Sequence, residues 1–269
     1  MFQYVTIQKG GIALRIVVKV GTTTLAHSTG NLNIRRVTEL CRVLSDLKNA
    51  GNDVILVSSG AIGMGVGKLS LSEKPDDIPG KQAAAAVGQC ELMYIYDKLF
   101  GDFNHVVAQI LITGDDVQNE VRYQNFSNTI HRLLDMKALP IINENDTISV
   151  EEIQIGDNDT LGAIVAKTVE ADLLVILTDT DGLYTADPRV DPNASLIREV
   201  ETITPELMSL GGGSGTKQGT GGMSTKLKAA SIATEVGIET VIINGQKPQM
   251  LYDVVEGNDY TGTRFLGKH

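Results

Sequence analysis

Residue types able to bind and transfer an anion recur wherever a short apolar run ends. The run Val17-Val18-Lys19-Val20 continues into Gly21-Thr22-Thr23-Thr24. A lysine buried without a counter-charge is costly, while a glycine lets the backbone approach a ligand and threonines offer hydroxyls and amides. Taken alone, this is either an anion contact or an edge strand with Lys19 in solvent. A second run ends Ser58-Ser59-Gly60-Ala61-Ile62-Gly63-Met64-Gly65-Val66-Gly67. Its small residues could wrap an anion with backbone N–H groups or form a plain structural turn. The glycines at 63, 65 and 67 do not space as the dinucleotide fingerprint GxGxxG.

The most polar stretch comes in two parts, Asn143-Glu144-Asn145-Asp146-Thr147 and Gly156-Asp157-Asn158-Asp159-Thr160. Asn158 or Asp159 is expected to cap a following helix, but two such clusters exceed what capping requires. Carboxylates and amides together could hold a substrate ammonium, orient lysines or engage a magnesium–nucleotide complex. Further on, Thr178-Asp179-Thr180-Asp181-Gly182 suits a nucleotide base and ribose, with an Asp-Gly turn before Asp187-Pro188 as the plain alternative. Last, Thr220-Gly221-Gly222-Met223-Ser224-Thr225-Lys226 leads into an amphipathic helix. Glycines, hydroxyls and a lysine at a helix start make a phosphate site from free N–H groups and the helix dipole. A first-turn lysine would otherwise oppose that dipole. No GxxxxGK[ST] occurs, so a P-loop is excluded.

These segments need elements to carry them. Strands are predicted at Leu14 to Val20, Asp53 to Val57, Val106 to Ile112, Leu139 to Ile142, Leu173 to Leu177 and Thr240 to Ile243. Helices are predicted from the Asn33 cap to near Gly51, and over Ala83 to Phe100, Asn125 to Met136, Leu161 to Glu170 and Thr225 to Val236. Continuous apolar strands alternating with amphipathic helices imply a mainly parallel sheet covered on both faces. Ligands of such sheets bind beyond the carboxyl ends of the strands, where the polar segments fall.

The 269 residues suffice for one large α/β domain or two small ones. The apolar fraction of 42% and mean hydropathy of +0.01 belong to a globular chain. No apolar run is long enough to span a bilayer, so the cytoplasm is the expected location. A net charge of -10 argues against a nucleic-acid binder. Cys41 and Cys90 fall in predicted helices and read as two buried small hydrophobes. The stretch from Gly211 to Gly222 reads as a flexible loop in its first half.

Taken in order, VVKVGTTTL, VSSGAI, KQAAAAVGQ, INENDTI, IGDNDTL, LTDTDGLYTADPR and GTGGMSTKL resemble the glutamate 5-kinases of the amino acid kinase family. The resemblance implies a three-layer α/β/α sandwich with a mainly parallel central sheet. Residues 1–14 would be an N-terminal extension and 15–269 the kinase domain, substrate on its N-terminal half and ATP on its C-terminal half. It implies ATP-dependent phosphorylation of the side-chain carboxylate of L-glutamate, the first step of proline biosynthesis. Lys19, Asp159 and Lys226 would be catalytic, Asp159 keeping the two lysines in place. Ser59, Gly60, Asn143, Asp146, Asp157 and Asn158 would hold glutamate. Lys19, Thr178, Asp179 and the run Thr220, Gly221, Gly222, Met223, Ser224, Thr225 and Lys226 would hold ATP. Mg2+ would be held mainly through the ATP phosphates, with no protein metal ligand. Proline is the expected feedback inhibitor, overlapping glutamate and involving residues 80–89. A homodimer or homotetramer, and no nucleic-acid partner, is expected, and the RNA-binding-like PUA module of many relatives is expected to be absent. The alternatives are a kinase for acetylglutamate, aspartate, carbamate or UMP, a dinucleotide-dependent oxidoreductase, and a non-catalytic amino-acid or nucleotide sensor.

Overall fold

Where apolar runs end and helix caps begin, the computed structural model divides the chain into strands and helices. It describes residues 13–27, 31–149, 157–211 and 222–268. The first half comprises β1 (Arg15–Val20), α1 (Thr22–Leu25), α2 (Ile34–Asn49), β2 (Asp53–Ser58), α3 (Ala61–Lys68), α4 (Ile78–Gly101), β3 (Val107–Ile112), α5 (Gly114–Gln118), α6 (Glu120–Asp135) and β4 (Leu139–Glu144). The second comprises α7 (Asn158–Thr168), β5 (Leu173–Thr178), β6 (Glu199–Val200), α8 (Pro205–Leu210), α9 (Met223–Thr234), β7 (Glu239–Asn244), α10 (Met250–Glu256) and β8 (Gly262–Phe265).

The local signals behave as their chemistry requires. Asn33 accepts a hydrogen bond from the Arg36 N–H and so starts α2, whose Val37, Leu40, Cys41, Leu44 and Leu47 are buried. Asp77 caps α4 through the Gly80 N–H, with proline in the first turn where no donor is needed. Strands β4 and β5 are buried along their whole length, as strands covered on both faces must be.

Among the described residues eight strands form one sheet in the order β3-β4-β2-β1-β5-β7-β8-β6. Neighbours are parallel except β7 and β8, which run antiparallel. One face packs α2, α4 and α10 over Ile16, Val18 and Val20 of β1. The other packs α6, α7 and α9 over Val17, Ile55 and Val57. The architecture is the three-layer sandwich expected. Each fully buried Leu or Ile contributes about 1.5–3 kcal/mol to holding these layers together.

Strand β1 is central, with Lys19 in register with Val57 of β2 on one side and Ile176 of β5 on the other. That settles the choice left open for Lys19: it is on no edge. Strand β1 leads on to β2 on one side and has β5 on the other, so the chain reverses direction across the sheet beside it. Such a switch point opens a crevice at the strand ends.

Several details differ from the sequence reading. Cys41 is buried but Cys90 is exposed on α4, because position 90 lies on the solvent face of a helix whose buried positions include 85, 88, 89 and 92. Residues 61–68 form a helix where a turn was the expectation, since α3 gains a packed face against α4. The cap of α7 is Asp157, not Asn158 or Asp159. Strand β8 was not foreseen, and β6 is two residues long, too short to leave a pattern. The flexible loop expected for the first half of 211–222 falls outside the described residues, apart from Gly211.

Candidate active site

Three charged side chains from three elements meet at the carboxyl end of β1. Lys19 Nζ lies 2.6 Å from Asp159 Oδ1, and Lys226 Nζ lies 3.2 Å from Asp159 Oδ2. Lys19 is 6% exposed, Lys226 4% and Asp159 0%. Asp159 stands in the first turn of α7, where the helix dipole favours a negative charge. The Thr225 hydroxyl, from the first turn of α9, donates to its Oδ2 at 2.7 Å. Two ammoniums thus share one carboxylate.

Burial pulls the Lys19 ammonium below its usual range; Asp159 pulls it back up and Lys226 pushes it further down. For Asp159, burial raises the carboxyl, but the charges of Lys19 and Lys226 outweigh it and hold the group below its usual value. The carboxylate is therefore an ionised tie between two cations. Lys19, Lys226 and Thr225 all contact it. Among the described residues no group of three or more His, Cys, Asp or Glu side chains is arranged to hold a metal ion.

A second, neutral cluster adjoins the first on the β2 and β4 side. Asn158 Nδ2 donates to Asn143 Oδ1 at 2.9 Å and to Ser59 Oγ at 2.8 Å. Gly60 follows with φ of +106°, a left-handed conformation that a glycine adopts without strain, and it opens α3. Asp157 accepts from the Thr160 N–H at 2.7 Å and from the Thr160 hydroxyl at 2.9 Å, so it anchors α7 as well as facing the site. Asp146 is half-buried in the turn after β4. Its carboxyl is pushed up to about 6 by burial and then by Glu144, with Lys74 pulling the other way. Glu144 itself accepts from the Ser149 hydroxyl at 2.9 Å.

On the β5 side, the buried Thr178 hydroxyl donates to Asp179 at 3.1 Å, and Asp179 is exposed. Gly222 is the N-cap of α9 without a side-chain cap, leaving Met223 and Ser224 with backbone N–H groups for a ligand, while the Thr225 N–H donates to the Gly222 carbonyl at 3.2 Å. Thr220, Gly221 and Gly156 lie outside the described residues. Sequence reasoning missed Gln89, which accepts from Asn143 Nδ2 at 3.0 Å, and Tyr96, whose hydroxyl is 2.8 Å from Ser58 Oγ. It also missed Asn244, which donates to Asp181 at 2.8 Å. A polar residue on an otherwise buried helix face was the available signal for Gln89. Surface cavities of about 600 and 480 Å³ lie along α2, and neither includes Lys19, Asp159 or Lys226. The site is placed by its chemistry and its strand ends.

Residues 14–244 match the Amino acid kinase family. The chain is 52% identical over 258 residues to a glutamate 5-kinase of Clostridium perfringens, covering 94% of this chain and 96% of that one. It is 55% identical over 250 residues to one of Clostridium tetani, covering 93% of each. One of Caldanaerobacter subterraneus is 51% identical over 253 residues and is covered over 68% of its length. Among solved structures, carbamate kinase from Giardia lamblia bound to AMP-PNP superposes with a TM-score of 0.67 at 16% identity, covering 96% of this chain and all (100%) of that one. The isopentenyl phosphate kinase of T. acidophilum gives 0.63 at 17% identity, covering 93% and 99%. These likenesses concern the fold.

Proposed function

The chain belongs to the amino acid kinase family, and within it to the glutamate 5-kinases, and on that premise we propose how its residues phosphorylate the side-chain carboxylate of L-glutamate with ATP. A carboxylate oxygen attacks the γ-phosphorus, a new O–P bond forms, and the bond to the bridging oxygen of ADP breaks. The carboxylate is already ionised at neutral pH, so no base is required. The obstacle is bringing an anionic substrate against a triphosphate.

The observation that carries the assignment is the buried Lys19–Asp159–Lys226 cluster, in which one carboxylate holds two ammoniums. Fixed ammoniums aimed where negative charge is shared in the transition state lower the barrier without reorganising. Lys19 and Lys226 are assigned to the transferring phosphoryl group, and Asp159 to holding both at one separation. Thr178, Asp179 and the α9 start from Gly222 to Thr225 are assigned to the nucleotide, with Thr220 and Gly221 included on their motif. Mg2+, when bound with the triphosphate, supplies further charge neutralisation. It is proposed to be held mainly through the ATP phosphates.

Ser59, Gly60, Asn143, Asp146, Asp157 and Asn158 are assigned to glutamate. The Ser59 hydroxyl and backbone N–H groups suit its carboxylates, while Asp146, Asp157 and the amide oxygen of Asn158 suit its ammonium. Proline, which also carries an ammonium and a carboxylate, is proposed to compete at this site. A homodimer or homotetramer through the N-terminal half is proposed on the exposed Ile34 and Tyr94 bordering the apolar cavity along α2 and α4. Among the described residues no helix is long and apolar enough to cross a membrane. The cytoplasm is proposed because ATP is the co-substrate.

The test is ADP release with magnesium-ATP and, separately, L-glutamate, L-aspartate, N-acetyl-L-glutamate, carbamate and UMP, with hydroxylamine present to trap acyl phosphates. Glutamate-dependent ADP release with a matching hydroxamate is expected. Turnover of another acceptor in place of glutamate would overturn the substrate-side assignment and leave the lysine roles standing.

A further inference from the structure

Three side-chain amides lie end to end beneath the strand ends. Asn143 Nδ2 donates to Gln89 Oε1 at 3.0 Å, and Asn158 Nδ2 donates to Asn143 Oδ1 at 2.9 Å. One backbone group determines which way all three face. The Glu144 N–H donates to Asn143 Oδ1 at 2.9 Å. A backbone N–H cannot accept, so the oxygen of Asn143 must face it and the NH2 must face Gln89. Gln89 must in turn present its oxygen to Asn143. Asn158 must present its NH2, whose two hydrogens go to Asn143 and to Ser59 Oγ at 2.8 Å. The array therefore ends in the carbonyl oxygen of Asn158, an acceptor, and in the Ser59 hydroxyl, whose proton stays available to donate.

Gln89 is 7% exposed and Asn143 2%, and a separate feature holds Gln89 in position. A Cβ at Gly88 would lie 1.7 Å from the Ala61 carbonyl oxygen, and one at Gly65 would lie 1.8 Å from that of Ala84. Helices α3 and α4 thus touch backbone to backbone directly beside Gln89. Since α3 opens at Ser59-Gly60, the distance from Gln89 to that turn is fixed by main-chain contact.

We propose that Gln89 is a positioning residue for the glutamate reaction. Acting through Asn143, it sets the polarity of the array so that Asn158 turns an acceptor to the substrate ammonium and Ser59 a donor to a carboxylate. This rests on the substrate-side reading of Ser59, Asn143 and Asn158. Without Gln89, the NH2 of Asn143 is a buried donor with no acceptor, and its side chain leaves the one orientation that fixes Asn158.

The test is steady-state kinetics of Gln89→Leu, Asn143→Ala, their double variant and Asn158→Ala, with glutamate and ATP each varied. Gln89→Leu is expected to raise KM for glutamate about tenfold, with KM for ATP within about twofold. The double variant is expected to be no worse than Asn143→Ala alone, because both remove one pathway. Gln89→Met, unbranched and compatible with a helix, takes the same criteria if the leucine variant does not fold. An unchanged glutamate KM, equal rises in both KM values, or additive losses in the double variant would overturn the proposal. If Asn158→Ala raises KM for glutamate while Gln89→Leu does not, the relay alone fails. If Asn158→Ala also leaves it unchanged, the substrate-side reading fails and the relay with it.

Discussion

Replacing Asp159 by asparagine removes one negative charge and almost no volume, which isolates the electrostatic work of the cluster. In the wild type a fully buried carboxylate separates two buried ammoniums at 2.6 and 3.2 Å. The variant leaves both ammoniums out of water without the carboxylate they share. Breaking a buried pair this way costs about 3–5 kcal/mol. For a domain of this size that corresponds to a fall in Tm of roughly 6–20 °C. Turnover should fall at least about 100-fold, because the lysines repel and lose the spacing that fits the phosphoryl group. The pH dependence has a definite sign. Burial already depresses the Lys19 ammonium, and Asp159 opposes that, so the variant's folded-state value drops further. Between that lowered value and the ordinary lysine value of about 10.4 the unfolded chain binds the extra proton, so stability rises with pH. The Tm deficit should therefore narrow from pH 7 towards pH 10, and magnesium-ATP should stabilise the variant more than the wild type. Thermal melts at three pH values, with and without nucleotide, and ADP-release assays provide the measurements. A Tm within about 2 °C of wild type together with turnover within about threefold would refute the reasoning.

Lys226→Met should lower kcat about 100-fold with smaller changes in either KM; unchanged turnover in steady-state assays would remove its assigned role. Asp146, with its carboxyl pushed up to about 6, must be ionised to pair with the substrate ammonium. KM for glutamate should fall up to about tenfold per unit from pH 5 to 6 and level off above 7, and Asp146→Asn should flatten the profile. Because that acid is raised in the folded state, its contribution to stability is present below the unfolded value and is lost as pH climbs towards 6. A glutamate KM constant from pH 5 to 7 would count against the assignment. Gly88→Ala should cost about 1–3 kcal/mol in a denaturant melt and raise KM for glutamate. Gly101→Ala on the same helix, where an added Cβ meets nothing within 4 Å, should do neither. Asp157→Asn preserves a competent cap and should keep stability while raising KM for glutamate. Asp157→Ala should also lose about 1 kcal/mol as the α7 cap is removed.

Much of the architecture was legible because its signals are local. The apolar run around Lys19 and the Asn33 cap each specify an element through the residues beside them. The motif resemblance likewise named Lys19, Asp159 and Lys226, whose meeting the fold then supplies. What the sequence could not reveal depends on partners distant in the chain. Whether Lys19 was on an edge depended on β5 pairing with β1. That Asp157 rather than Asn158 caps α7 depended on which side chain was needed by Asn143 and Ser59. Gln89 closes the motif KQAAAAVGQ, yet its individual role stayed hidden, since its partner comes from β4. Strand β8 is short and antiparallel, and its four residues read as ordinary C-terminal sequence until β7 is there to pair with them.

The central place of β1 also bears on how the chain is made. Of the described strands this one is made first, yet its second neighbour, β5, follows only after β2, β3 and β4. Until then one flank of β1 has no pairing partner, and Lys19 has neither Asp159 beside it nor Lys226 opposite. A nascent chain at that stage holds an open strand edge with an uncompensated cation in it, a state that favours association with other chains or with a holdase. The charge cluster closes only when α9 arrives, so a product truncated before Lys226 holds Lys19 and Asp159 without the second ammonium. Translation therefore completes the cluster in a single step, once α9 has been made.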